Sequence, residues 1–218
     1  MKKKFVAVAG NIGVGKSTLV ALLSQRLGWQ PFYEAVAENP YLADFYGNMR
    51  QWGFHSQVFF LSNRLRSHRQ LVEHPTSVVQ DRSVYEDAEV FACNLHQRGT
   101  LDERDYATYR GLYELLAAFL PPPDLVVYLR ASAETLTRRI AQRGRAYEAA
   151  ITPAYLEQLN QLYEDWIRDF TLCPVLTVPA GDLDYIANPA HLELIVQKVL
   201  EKLQGKDEVV FGQDEAPL

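Results

Sequence analysis

Cysteine is scarce in this chain. Two thiols, Cys93 and Cys173, stand among 218 residues, far apart and in no Cys-x-x-Cys pair. That excludes a disulfide-built scaffold and a thiolate zinc knuckle, and reads as two buried thiols in a reducing compartment. No apolar stretch approaches the roughly 20 residues of a membrane-spanning helix. Met1-Lys2-Lys3-Lys4 precedes an apolar run, Phe5–Ala9, which is too short for a signal peptide and enters a glycine loop rather than a cleavage site. A cytoplasmic location is the expectation. Positive charge is in deficit, since 22 Lys and Arg against 27 Asp and Glu give a formal net charge of -5. The bulk field repels nucleic acid and anionic membrane, so neither is an expected partner. Any bound anion needs a local cluster of cations. No internal repeat is present.

What the chain does have is alternation. Short apolar runs fall at Phe5–Ala9, Pro31–Glu34, Ser77–Gln80, Leu125–Leu129 and Val175–Val178. Helical periodicity fills about 15–27, 50–73, 84–97, 102–120, 132–143, 153–171 and 189–204. Continuous apolar strands between helices read as a parallel sheet covered on both faces. The expected fold is α/β: a three-layer α/β/α domain over residues 1–204 with five parallel strands. Pro121-Pro122-Pro123 ends one helix. Residues 205–218 form a charged tail without helical pattern, read as a loose arm in which Val209-Val210-Phe211 is a candidate edge strand or partner contact.

Gly10-Asn11-Ile12-Gly13-Val14-Gly15-Lys16-Ser17 matches G-x-x-x-x-G-K-[ST] in full, between a strand-like run and a helix that continues with Thr18. The glycines let backbone N–H groups turn inward, and the helix N-terminus adds positive potential, so polyphosphate is attracted there. In such P-loop proteins Lys16 contacts the β- and γ-phosphates and Ser17 holds Mg²⁺. The third strand runs into Asp81-Arg82-Ser83, giving a second metal-side group, Asp81, beside an arginine suited to a transferring phosphoryl group. There is no strand-ending Asp-Glu pair to activate water and no Asn-Lys-x-Asp signature for guanine.

Other candidates are weaker by themselves. Glu34 falls at the second strand's end, on the edge where all strands of a parallel sheet open. It reads equally as a general base or as a solvated loop glutamate. Arg138-Arg139-Ile140-Ala141-Gln142-Arg143-Gly144-Arg145 reads as a lid, about 139–150, hinged at Gly144, or as a solvated basic helix end. Gln57 and Arg64 share one helix face, and Asp87 and Phe91 lie one turn apart on another. They are base readers or ordinary core and surface residues. The Asp81-Arg82 step itself has a plainer reading, a helix N-cap with an exposed arginine.

Together these residues resemble the deoxynucleoside kinase family, the group of deoxycytidine, deoxyguanosine and deoxyadenosine kinases, over about residues 4 to 200. The likeness rests on Gly10-Asn11-Ile12-Gly13, Tyr33-Glu34, Asn39-Pro40-Tyr41, Gln57 through Arg64, Asp81-Arg82-Ser83, and Arg139, Arg143, Gly144, Arg145 with Glu148. The resemblance implies ATP as donor, Mg²⁺ as cofactor and a deoxynucleoside 5′-hydroxyl as acceptor. By resemblance Glu34 is the base, Arg82 steadies the hydroxyl and the phosphoryl group, Tyr46 and Glu148 bind the sugar 3′-hydroxyl, Gln57 pairs with the base and Phe91 stacks on it. The Arg64/Asp87 pair is similar to that of members acting on purine deoxynucleosides and deoxycytidine. A homodimer through the helices near 53–72 and 102–120 is also implied. Two rivals stand beside this reading. A thymidylate kinase is similar in its loop but usually carries an arginine next to the second-strand glutamate, where this chain has Ala35. A non-catalytic member of the fold usually loses the lysine, base or lid that this chain retains.

Overall fold

A computed structural model describes residues 3–33 and 38–205. Five strands, β1 (Phe5–Gly10), β2 (Gln30–Phe32), β3 (Val78–Asp81), β4 (Leu125–Arg130) and β5 (Val175–Pro179), form one sheet of order β2-β3-β1-β4-β5. Every pairing is parallel. The expected parallel α/β architecture is what the chain adopts. Consecutive strand residues take opposite sides. Ala7 and Ala9 join the apolar cluster on one face, with Tyr109 and Tyr163, while Val6 and Val8 join the cluster on the other, with Leu19 and Val196. Burial on both faces is why the strands read as unbroken apolar runs.

The helices are α1 (Lys16–Leu27), α2 (Leu42–Gly47), α3 (Met49–Glu73), α4 (Val84–Glu86), α5 (Cys93–Gln97), α6 (Glu103–Ala117), α7 (Ala133–Arg143), α8 (Pro153–Asp169) and α9 (Pro189–Leu203). Their starts are chemically marked. The side chains of Asp102, Ser132, Thr152 and Asn188 each accept a backbone N–H of the first turn, and Pro153 and Pro189 follow directly after their caps. No helix among the described residues is long and apolar enough to cross a membrane.

Differences from the sequence reading are local. Helix α2 was not expected. Its six residues are too few to show a period, and a polar hook starts it, with Asn39 accepting from Tyr41 N at 2.9 Å and donating to Ser56 Oγ at 3.0 Å. The expected helix 84–97 is present but relaxes to π-helical winding over Asp87–Ala92. The expected helix 102–120 ends regularly at Ala117 and tightens into turns before Pro121. Strand β2 spans Gln30–Phe32, and Glu34 lies outside the described residues, as do Val209, Val210 and Phe211.

Strand β1 sits mid-sheet, and the chain passes to β2 and β3 on one side of it and to β4 and β5 on the other. The order reverses there, which opens a crevice above the carboxyl ends of β1 and β3.

Candidate active site

The loop Gly10–Gly15 leaves β1 in a conformation that only glycine tolerates at three positions. Gly10, Gly13 and Gly15 have φ of 141, 81 and 108°. Space is short as well, since a Cβ on Gly13 would lie 2.8 Å from Ile140 Cγ1. Asn11 fixes the curl. Its amide donates to Leu156 O at 2.9 Å and to Asn160 Oδ1 at 2.8 Å, and its oxygen accepts Ile12 N at 2.7 Å. Helix α1 opens on Gly15 with no side-chain cap, so its first N–H groups are available to an anion. Lys16 folds back over the loop, Nζ donating to Gly10 O at 2.8 Å and to Asn11 O at 3.0 Å.

Across the crevice, β3 leaves the sheet at Arg82. Among the described residues Arg82 alone has a positive φ without being glycine, 65°, a conformation that costs about 1–2 kcal/mol. Neighbours hold it there. Arg82 N donates to Val8 O at 3.0 Å. Arg64 Nη1 donates to the carbonyls of Asp81 and Arg82 at 3.1 and 3.2 Å. The Arg82 guanidinium lies 4.2 Å from the Phe91 ring centroid. Arg64 is in turn held by Asp87, Nε to Oδ2 at 3.1 Å.

Asp81 accepts the Ser17 hydroxyl at 2.5 Å on one oxygen. Its other oxygen, Oδ1, is buried with no hydrogen-bond partner. A hydroxyl and a carboxylate oxygen with spare coordination, beside a phosphate loop, fit Mg²⁺, which takes one or two carboxylates and otherwise phosphates and water. No cluster of three or more His, Cys, Asp or Glu among the described residues offers an all-protein cage.

These groups line one cavity of about 870 Å³. The phosphate loop, Ser17 and Thr18 form one end. Tyr46, Gln57, Arg82, Asp87, Phe91 and Tyr155 form the other, and Arg139, Arg143, Arg145 and Glu148 the roof. The structure thus brings the described candidates together on the wall except Gly10 and Asn11, at the base of the loop, and Arg64, which sits behind Asp87. Gln57 is on the wall because α3 presents Gly53, Ser56, Gln57, Leu61 and Arg64 along one buried stripe. The π-helical winding over Asp87–Ala92 turns both Asp87 and Phe91 into the cavity. Such winding is frequent at functional sites.

The arginines of the expected lid are already engaged. Helix α7 stops at Gly144, φ 66°, and a 3-10 turn, Ala146–Glu148, follows. Glu148, 5% exposed, receives Arg143 through two bonds of 2.6 and 3.1 Å, with Arg145 at 3.6 Å. Arg139 instead bridges Val14 O at 3.0 Å and Ala180 O at 2.8 Å, tying the phosphate loop to the end of β5. Tyr147 stacks on Tyr46 at 6.1 Å between centroids. Burial first, then neighbouring acidic groups, hold the Tyr46 hydroxyl protonated far above its ordinary range, against the pull of Arg82.

Two parts of the cavity wall, and one residue buried behind it, escaped sequence reasoning. The turn Gly181–Ile186 forms the far wall, where the Tyr185 hydroxyl reaches Gly15 O at 3.4 Å and is pushed up to about 12 by burial. No motif marks it. Glu38 and Phe60 also reach the wall without a signal. The third is Glu86, fully buried behind Arg82, and here a signal existed: Ser83-Val84-Tyr85-Glu86 is a capping-box pattern.

A family model described as deoxynucleoside kinase matches residues 6–204. The chain is 39% identical over 200 residues to the deoxyadenosine/deoxycytidine kinase of Bacillus subtilis, covering 91% of this chain and 92% of that one. It is 35% identical over 201 residues to the deoxyguanosine kinase of the same organism, covering 90% and 96%. A solved structure of deoxyadenosine kinase from M. mycoides, with the products dCMP and a flexible dCDP bound, superposes with a TM-score of 0.81 at 33% identity, covering 90% of this chain and 99% of that one. The crevice at the strand-order reversal, the glycine loop and the Asp81-Arg82 turn are thus set in a chain that belongs to the deoxynucleoside kinase family.

Proposed function

We propose that this deoxynucleoside kinase transfers the γ-phosphoryl group of ATP to the 5′-hydroxyl of a purine deoxynucleoside, deoxyadenosine or deoxyguanosine, as a salvage reaction in the cytoplasm. The observation that carries the base preference is the Asp87 carboxylate on the cavity wall, backed by Arg64 at 3.1 Å. Fixed as an acceptor by that cation, Asp87 favours a base with an exocyclic amino group. Adenine, guanine and cytosine each carry one, and thymine carries none. Gln57 supplies a donor and an acceptor side by side, the pattern that reads an adenine edge. Relatives named for deoxyadenosine and deoxyguanosine support a purine, and one of them is named for deoxycytidine as well.

The reaction assigns each group a task. The loop N–H groups, Thr18 and Lys16 bind the triphosphate, and Arg143 and Arg145 close on it from the roof. Ser17 and Asp81 would hold Mg²⁺, which when bound offsets negative charge on the phosphoryl oxygens. Tyr46 and Glu148 grip the 3′-hydroxyl, and Phe91 stacks on the base while its other face steadies Arg82. Arg82 orients the 5′-hydroxyl and bears charge developing on the phosphoryl group. Glu34 takes the proton. Its assignment rests on the family resemblance of Tyr33-Glu34, which follows the end of β2 at Phe32 in the sequence.

Initial rates with deoxyadenosine, deoxyguanosine, deoxycytidine and thymidine, at fixed Mg-ATP, test the proposal. The purine deoxynucleosides should give the highest kcat/KM. Thymidine in first place would reject it. A homodimer belongs to the same proposal. Leu112 and Leu115 on α6 and Phe119 in the turn after it are 39, 62 and 79% exposed, and Val72 at the end of α3 is 41% exposed, an apolar face suited to a second copy. Light scattering after size exclusion should give twice the chain mass.

A further inference from the structure

Strand β3 makes its last ladder bond to β1 at Arg82 N, which donates to Val8 O at 3.0 Å. Two residues further along β1, the Gly10 N–H has no strand to meet on that side. A side chain takes the strand's place. Glu86 Oε2 accepts Gly10 N at 3.2 Å. The same carboxylate accepts Ser83 N at 2.8 Å and the Ser83 hydroxyl at 3.3 Å through Oε1, and the Tyr163 hydroxyl at 2.8 Å through Oε2. Glu86 is 0% exposed.

Its position is unusual for a capping-box glutamate, whose ordinary partner is the N-cap backbone alone. One oxygen holds the residue after Arg82, and the other holds the first residue of the phosphate loop. Gly10 is therefore pinned on both sides, its N–H by Glu86 and its carbonyl by Lys16 at 2.8 Å. All the neighbours named are donors, so an amide in place of the carboxylate would set an NH₂ against an N–H or O–H. Lys16 and Arg82 both act electrostatically on Glu86, partly offsetting the burial that pushes its carboxyl upward.

We infer that Glu86 is a positioning residue for phosphoryl transfer: its carboxylate fixes the spacing between the phosphate loop and the Arg82 turn, and so between donor and acceptor. It touches neither substrate. The inference rests on the kinase reading, and activity of the wild-type chain in the same assay separates failure of that reading from failure of this one.

The test is Glu86→Gln, with rates expressed per folded molecule from the thermal-unfolding amplitude. Misplacing Arg82 relative to the loop should appear in the chemical step, so kcat should fall about 10- to 100-fold. KM for deoxyadenosine, set by Gln57, Asp87 and Tyr46, should stay within about threefold. A simple packing role would lower Tm and leave kcat per folded molecule intact. A folded Glu86→Gln protein with kcat within about twofold of wild type, or one whose loss lies wholly in KM, overturns the inference. Should Glu86→Gln not fold, Tyr163→Phe decides. It removes one of the bonds to Oε2, so a smaller drop in kcat, about two- to fivefold, at unchanged KM supports the inference, and a wild-type kcat overturns it.

Discussion

Truncating Asp87 isolates the energetics of the acceptor wall. Arg64 and Asp87 side chains are 5 and 4% exposed, so the surface figure of about 0–1 kcal/mol for an ion pair does not apply. Removing one partner of a buried pair leaves an uncompensated charge and costs about 3–5 kcal/mol. In Asp87→Ala, Arg64 loses acceptors at 3.1 and 3.5 Å but keeps the carbonyls of Asp81 and Arg82. The lower end, about 3 kcal/mol, is expected. Arg64→Ala also removes the donors that hold the positive-φ turn at Arg82, so the upper end, about 5 kcal/mol, applies. In a chain of this size each kcal/mol shifts Tm by about 2–4 °C, giving a fall of about 6–12 °C for Asp87→Ala and about 10–20 °C for Arg64→Ala. The double variant buries no orphan charge, so its loss should be smaller than the sum by about 2 kcal/mol or more. Thermal and urea unfolding of the four proteins measure this, and rates with deoxyadenosine and thymidine should show Asp87→Ala losing far more of the former. A loss below about 1 kcal/mol in either single variant, or additivity within about 0.5 kcal/mol, would refute the reasoning.

Gly13→Ala places a Cβ 2.8 Å from Ile140 Cγ1 at a φ of 81°, so the loop must shift. The KM for ATP should rise at least about tenfold while Tm falls only a few degrees, the strain being about 1–2 kcal/mol. Buried His68, edge-on to Phe5 at 5.5 Å, has its pKa lowered below the ordinary 6.5 by burial, against a bond to the Pro121 backbone. The unfolded chain then binds the proton first, so the stability that neutral His68 contributes is present above pH 6.5 and lost as pH falls through the folded value. His68→Gln should lose less Tm than wild type between pH 7.5 and pH 5.5 on that account; an identical fall would remove His68 from this role.

Legibility followed the physics of each signal. The strands could be read because burial on both faces leaves unbroken apolar runs. The phosphate loop could be read because its glycines and lysine answer a backbone constraint local to eight residues. Helix α2 could not, since a six-residue helix set by the Asn39 hook has no period to show. The π-helical winding at Asp87–Ala92 was equally silent, because it depends on how α4 and α5 pack, not on composition. In the sequence Arg64 reads as a base reader because face and spacing are visible while depth is not. In the fold it stands one layer back, holding Asp87 and the Arg82 turn. The Gly181–Ile186 wall joins the site only through tertiary proximity, so no sequence pattern announces it. Glu86 is the instructive case: its capping box was visible, yet its second bond, to Gly10, is made across 76 residues of chain.

The proton acceptor is tested most directly by the turnover of Glu34→Gln with deoxyadenosine and Mg-ATP, followed by ADP release. Nucleoside affinity should stay near wild type while kcat drops by about 10²–10⁴. A kcat equal to wild type would contradict the assignment of Glu34 as base and the transfer geometry built on it.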